Sequence, residues 1–258
     1  MTIRVAVVGA CGRMGSEVAR MVALQPDMKV TAAVEARDHP RVGSSIAGAV
    51  VTSEMGPALA SCDVTVDFSV KEAVRTNVMA AAAAGRPFVC GVTDLTDETM
   101  ESLRQAAKLI PVVYSVNFSV GIALLARLTA EAARLLDEGF DVEIIEVHHR
   151  TKKDAPSGTA KMLFGAIKEG RKTARATSER QRTVGAKPAG EVGISSVRVG
   201  DVVGEHTVVF GGAGERLELT HRVQSRIAFA AGVVSAIRFV KVREPGWFSL
   251  IDVFNSSS

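Results

Sequence analysis

At 258 residues the chain is long enough for one large or two modest domains, with a core that needs no disulfide or metal to hold it. A formal charge of +3 is too weak to imply nucleic acid but suits an acidic small molecule. The three cysteines, Cys11, Cys62 and Cys90, are odd in number and form no Cys-x-x-Cys pair, which excludes a disulfide framework and a zinc site and fits a reducing compartment.

Residues 3–8 read as a strand with no basic leader before it, and no uncharged apolar run reaches transmembrane length, so a cytoplasmic protein off the membrane is expected. A helix over 12–24, a strand over 28–35, a third strand over 64–68 and an Ala-rich helix over 71–84 follow, the last ended by Gly85 and Pro87. Strands over 88–92 and 112–114 complete an alternation that predicts an α/β fold with a Rossmann-like, doubly wound parallel sheet. From Val120 the pattern changes to a helix ending near 136, a strand over 142–149, a loop and a short helix over 157–168. Strands at 195–199, 206–210 and 216–220, joined by short Gly-rich connections, predict a second α+β domain on a mixed, mainly antiparallel sheet. The basic stretch 168–182 reads as a solvated helix end and loop, without the interleaved aromatics that nucleic-acid stacking requires. An apolar helix over 227–240 precedes the tail 247–254.

Gly9-Ala10-Cys11-Gly12-Arg13-Met14-Gly15 follows the first strand and opens a helix, the context in which backbone N–H groups and a helix N-terminus meet a pyrophosphate. The spacing is G-x-x-G-x-x-G. Glu35 ends the second strand twenty residues past Gly15, where a carboxylate can accept from the adenosine ribose hydroxyls. A glycine turn serving packing alone, or a loop for S-adenosylmethionine, is the competing reading. Glu35 repels a 2′-phosphate while Arg37 or Arg13 could pair with one, which favours NADH with NADPH tolerated.

The segment from Glu146 to Ala160 places His148, His149, Arg150, Lys152, Lys153 and the turn Ser157-Gly158-Thr159 at a strand-to-helix junction. Adjacent histidines on a strand point to opposite faces, so the pair does not chelate one metal and one of them faces substrate. A helix start beside cations is an anion cradle. A dicarboxylate could set one carboxylate on that N-terminus while Lys152 and a more distant arginine hold the rest, leaving a histidine to supply a proton or steady charge. The plainer alternative is a solvated basic loop beside two polar strand-end histidines.

The string from Glu143 to Ala160 closely resembles the signature of the 4-hydroxy-tetrahydrodipicolinate (dihydrodipicolinate) reductase family. Further blocks extend the resemblance over essentially the whole chain, among them Val66-Asp67-Phe68-Ser69, Asn117-Phe118-Ser119-Val120-Gly121 and Arg198-Val199-Gly200-Asp201 through Thr207. The resemblance implies reduction of 4-hydroxy-tetrahydrodipicolinate by NADH or NADPH, with loss of water, in diaminopimelate and lysine biosynthesis. It implies catalytic roles for His148, His149 and Lys152, with His149 at the substrate. It also implies substrate contacts from His149, Lys152, Ser157, Gly158, Thr159 and Arg226. Cofactor contacts are implied for Gly9, Gly12, Arg13, Met14, Glu35, Phe68, Ser69, Gly91, Thr93, Asn117 and Phe118. No metal is implied.

Two positions depart from the family pattern. Ala36 stands where some members have an arginine, and Val92 and Asp94 replace the Thr and Gly of a common Gly-Thr-Thr-Gly turn. The implied domains are 1–119 plus 228–258 for the dinucleotide and 120–227 for substrate and oligomerisation, with closure about hinges near 119–121 and 225–228 and assembly as a homotetramer. The alternatives are another nicotinamide-dependent dehydrogenase of an amino-acid-derived acid, and a dinucleotide-sensing protein without turnover.

Overall fold

The computed structural model describes residues 2–178 and 185–255. Its elements run β1 (Ile3–Val8), α1 (Arg13–Ala23), β2 (Met28–Val34), β3 (Ser45–Ile46), β4 (Ala49–Thr52), α2 (Met55–Ser61), β5 (Val64–Asp67), α3 (Lys71–Ala83), β6 (Phe88–Cys90), α4 (Asp97–Ala106) and β7 (Pro111–Tyr114). They continue with α5 (Val120–Leu135), β8 (Asp141–His148), α6 (Gly158–Gly170), β9 (Arg175–Thr177), β10 (Glu191–Arg198), β11 (Gly204–Gly212), β12 (Glu215–Val223), α7 (Ile227–Lys241), β13 (Gly246–Phe248) and α8 (Leu250–Asn255). The chain divides into two compact units, Met1–Val120 with Arg226–Ser258, and Gly121–Ser225.

The first unit holds an eight-stranded sheet in the order β13-β7-β6-β5-β1-β2-β4-β3. All its pairings are parallel except β3 with β4. The central strands β1 and β5 are buried on both faces at their C-terminal ends, as a sheet covered on both sides requires. Ala6 and Val8 join a core cluster with Val74, Val78, Leu103 and Ala106 from α3 and α4. Val5 and Val7 point the other way. The helix α1 buries the stripe Gly15, Val18, Ala19 and Val22, spaced at helical period. Thr96 starts α4 by accepting from the Thr99 amide, with Asp97 and Glu98 favourably placed in the first turn. The short elements β3, β4, α2 and α4 fall in stretches the sequence pattern leaves unassigned.

The second unit holds a five-stranded sheet in the order β12-β11-β8-β10-β9. β11 pairs antiparallel with β12 and β8, but β10 pairs parallel with β8 and β9. The expectation that the strand at 195–199 forms a hairpin with its successor is therefore corrected: β8 lies between β10 and β11, and the sheet is evenly mixed. Burial on β8 alternates strictly, sending Val142, Ile144, Glu146 and His148 to the inner face. There Ile144, Val208 and Phe210 pack with Ile122 and Leu125 of α5 and with Leu163 and Ile167 of α6, each fully buried large side chain contributing about 1.5–3 kcal/mol. The basic stretch resolves into the end of α6 and the strand β9, while its residues 179–182 lie outside the described residues.

Candidate active site

In the first unit the loop between β1 and α1 is held tightly against its neighbours. Gly9 has φ +72°, and a Cβ there would sit 2.6 Å from the Phe68 carbonyl oxygen; one at Gly15 would sit 2.0 Å from the Gly9 carbonyl oxygen. Only glycine allows both approaches. Gly12 caps α1 without a side chain, and the first turn carries no acid, so the helix N-terminus presents uncompensated positive dipole. Glu35, just past β2, accepts from the amides of Cys11 at 3.0 Å and Ala36 at 3.1 Å, which puts a carboxylate beside the loop. Burial and the charge of Glu35 push the Cys11 thiol up. This cradle fits the pyrophosphate and ribose of a dinucleotide.

Arg13, Met14, Phe68, Ser69, Gly91 and Thr93 line one open cleft of about 540 Å³. Gly91 lies under the Phe68 ring, which meets Phe118 edge-on with centroids 5.9 Å apart. The Asn117 side chain accepts from the Ser119 amide at 2.8 Å. Beneath the cleft, the buried Asp67 carboxylate accepts from the Ser69 amide at 2.8 Å and from Asn77 at 2.9 Å, bracing the turn after β5. Burial pushes its carboxyl up.

In the second unit the inner face of the sheet ends in a buried polar cluster. Glu146 is fully buried, and both its oxygens are occupied. Oε1 accepts from Arg198 Nη2 at 2.8 Å and from the Ser157 amide at 3.2 Å. Oε2 accepts from Arg198 Nη1 at 3.0 Å and pairs with His148 Nδ1. Burial opposes the charge on Glu146, but the hydrogen bonds from His148 and Arg198 outweigh it and hold the carboxyl well below the usual range. An ionised carboxylate only accepts, so Nδ1 of His148 carries the proton.

Ser157 caps α6, its Oγ accepting from the Ala160 amide at 3.2 Å. The same Oγ lies 3.1 Å from His206 Nε2. Burial, reinforced by His148, lowers the His206 pKa to about 3. The rings of His148 and His206 stand edge-to-face, 5.1 Å apart. Arg198 also donates to the Asp154 carbonyl at 2.7 Å, and the Asp154 side chain pairs with Lys152 at 2.8 Å. His149, just past the strand, bonds through Nδ1 with Thr151 Oγ1 at 2.8 Å. The peptide bond Ala155–Pro156 is cis.

Among the residues expected from sequence, His148 and Ser157 thus meet through Glu146, and His149 and Lys152 lie on the loop between them. Gly158 and Thr159 form the first turn of α6. Arg226 is the N-cap of α7 and belongs to the first unit. Glu146, Arg198 and His206 stand in the quoted sequence blocks but received no role. For Glu146 a signal was present: it lies two residues before His148, on the same face of the strand.

The sequence matches "Dihydrodipicolinate reductase, N-terminus" over residues 3–118 and "Dihydrodipicolinate reductase, C-terminus" over residues 121–254. It is 41% identical to the 4-hydroxy-tetrahydrodipicolinate reductase of Anaeromyxobacter dehalogenans strain 2CP-1, covering 97% of each chain. Identity to the protein of the same name from Myxococcus xanthus is also 41%, again over 97% of each. The fold is similar to a dipicolinate-bound dihydrodipicolinate reductase from Paenisporosarcina sp. TG-14, with a TM-score of 0.79 at 28% identity, over 96% of this chain and 98% of that one. Two half-chain matches that together span both units, and relatives matched end to end, leave one conclusion: the chain belongs to the dihydrodipicolinate reductase family.

Proposed function

We propose that this chain reduces 4-hydroxy-tetrahydrodipicolinate to tetrahydrodipicolinate, with a dinucleotide cradle in its first unit and a carboxylate-binding turn in its second. Gly9, Gly12, Arg13, Met14 and Glu35 hold the pyrophosphate and adenosine ribose of NADH or NADPH. Phe68, Ser69, Gly91, Thr93, Asn117 and Phe118 receive its nicotinamide half. When bound, the dihydronicotinamide supplies the hydride.

The observation that carries the substrate assignment is the α6 N-terminus, where Ser157, Gly158 and Thr159 begin a helix beside Lys152 and the buried His148. One substrate carboxylate sits on that turn, stabilised by the helix dipole and amides. Lys152 balances the remaining negative charge. His148 and His149 exchange the proton that the reaction requires as the hydroxyl leaves as water. Dipicolinate in the related structure is a dicarboxylate of the kind this turn suits.

The protein is further proposed to work in the cytoplasm as a homotetramer. Support for assembly comes from the outer face of the second sheet, where Ile145 and Val197 stay 40% and 42% exposed.

The test generates the unstable substrate in place from pyruvate and aspartate semialdehyde with a dihydrodipicolinate synthase, and follows oxidation of NADH and NADPH at matched concentrations. Oxidation that depends on the synthase supports the reading. If the reduced cofactor binds but is not consumed, the substrate assignment is wrong and a dinucleotide-sensing role takes its place.

A further inference from the structure

Two buried groups in the second unit have no part in the reaction as described, yet each controls a hydrogen in it. Glu146 meets four donors with its two oxygens: His148 Nδ1, both terminal nitrogens of Arg198, and the Ser157 amide. A carboxylate so placed fixes the ring of His148 with its proton on Nδ1 and directs Nε2 away from Glu146. A Cβ built on Gly204 would sit 3.1 Å from that Nε2, so the glycine keeps a side chain off the second nitrogen.

His206 presents the complementary case. It is 2% exposed, and its Nδ1 has no hydrogen-bond partner among the described residues. A buried imidazole with one proton can place it on Nδ1, stranding a donor, or on Nε2, stranding only an acceptor. Orphaned buried N–H groups are the costlier and rarer case. The proton therefore sits on Nε2 and is donated to Ser157 Oγ, 3.1 Å away. Ser157 Oγ already accepts from the Ala160 amide. With two donors on its lone pairs, the hydroxyl has its own hydrogen left to give, and a carboxylate on the α6 N-terminus is an acceptor of the right charge for it.

We infer that Glu146 and His206 are positioning residues: Glu146 holds His148 as the Nδ1–H tautomer and His206, as the Nε2–H tautomer, orients Ser157, so that His148 Nε2 and the Ser157 hydroxyl hydrogen are both turned to the substrate. This rests on the proposed function for the identity of that substrate. Arg198 keeps the arrangement in place by neutralising Glu146 and by tying it to the carbonyl of Asp154.

The first measurement reads the wild-type chain. Long-range proton–nitrogen correlation spectra of the whole chain with isotope-labelled histidine, recorded at about pH 9 where ordinary imidazoles are neutral, report the tautomer of each of the five histidines. Signals are assigned by single His→Gln substitutions. The expected result is Nδ1–H for His148 and Nε2–H for His206; the reverse at either residue overturns the inference.

The second measurement separates positioning from simple packing. In His206→Gln the amide N–H₂ replaces the Nε2–H donor, whereas His206→Leu offers none. The Leu variant should lose about 30-fold in kcat/KM, the scale of a lost hydrogen bond to a charged group. The loss should fall mainly on the KM of the dicarboxylate, the NADH dissociation constant should not move, and the Gln variant should recover most of it. Folded Gln and Leu variants of equal activity overturn the inference. If the Leu variant does not fold, the wild-type tautomers decide alone. A wild-type chain with the expected tautomers but no synthase-dependent NADH oxidation would instead refute the proposed function and leave the positioning geometry standing.

Discussion

Gly204 shows how much a single methyl group can report. Its backbone is ordinary β, so alanine is conformationally allowed, but the added Cβ would lie 3.1 Å from His148 Nε2 and 3.4 Å from its Cδ2. Gly204→Ala should therefore fold with little loss of stability and lower turnover by about tenfold or more by crowding the nitrogen proposed to exchange the proton. A melting temperature near that of wild type with unchanged kcat would show that Nε2 is not used.

Asp94 is the second informative residue. It replaces the glycine of a common family turn and adopts φ +56°, the left-handed region that favours glycine. The aspartate thus occupies a backbone conformation in which glycine is at ease. Asp94→Gly should relieve strain of about 1 kcal/mol, set against a similar entropic cost in the unfolded chain, and so change stability little. Asp94→Val, which tolerates that φ poorly, should destabilise clearly in urea titration. Equal stability for the Gly and Val variants would mean the turn relaxes to another conformation.

At the scale of elements, the end of α5 depends on a side chain from far along the chain. Arg171 donates to the carbonyls of Ala133 at 3.2 Å, Leu136 at 3.2 Å, Asp137 at 2.8 Å and Phe140 at 2.6 Å. These are the carbonyls a helix C-terminus leaves unsatisfied, together with the turn that leads into β8. One guanidinium fork reaches all four, and an ammonium cannot. Arg171→Met should cost about 2–3 kcal/mol, and Arg171→Lys should recover less than half of it. Full recovery by lysine would show that charge, not the fork, is what matters there.

Elements of this kind mark the boundary of what the sequence discloses. The strand, glycine loop and helix at the start of the chain are legible because each is set by neighbours a few residues away. The Ser157 turn is legible for the same reason, through its cap and its cations. The place of β10 is not, since the choice between pairing with β8 or β11 is made by the whole sheet. Nor is the core of the site. Arg198 reaches Glu146 across 52 residues and His206 reaches Ser157 across 49, and no local pattern encodes either contact.

For the whole molecule, the titrating groups divide unevenly between the two units, and acid should separate them. In the second unit, burial and neighbouring His148 lower the His206 pKa to about 3 from an ordinary 6.5, with Glu146, His221 and Lys152 the other charges acting on it. Burial lowers His221 as well. Between pH 6.5 and about 3 the unfolded chain binds a proton on His206 that the folded chain refuses, so stability falls as pH falls, by up to about 1.4 kcal/mol per unit for each such proton. Glu146, held low by His148 and Arg198 despite its burial, adds its loss once the pH falls through its ordinary value of 4.5.

The first unit titrates in a lower window. Asp63, held low by Arg4 despite partial burial and assisted by Lys241, and Asp27, held low by Arg238, keep their contributions until the pH drops below about 4. Asp67 is raised by burial, so the folded form takes up its proton first and acid favours folding there. Acid titration followed by amide hydrogen exchange should therefore show protection lost first in β8, β11 and α6, beginning below pH 6.5, while β1, β5 and α1 stay protected to about pH 4. His206→Gln, which has no imidazole to protonate, should remove much of the upper window and leave the lower one. Simultaneous loss of protection in both units, or an upper window unchanged in the variant, would show that the buried histidine does not set the acid limit of the second unit.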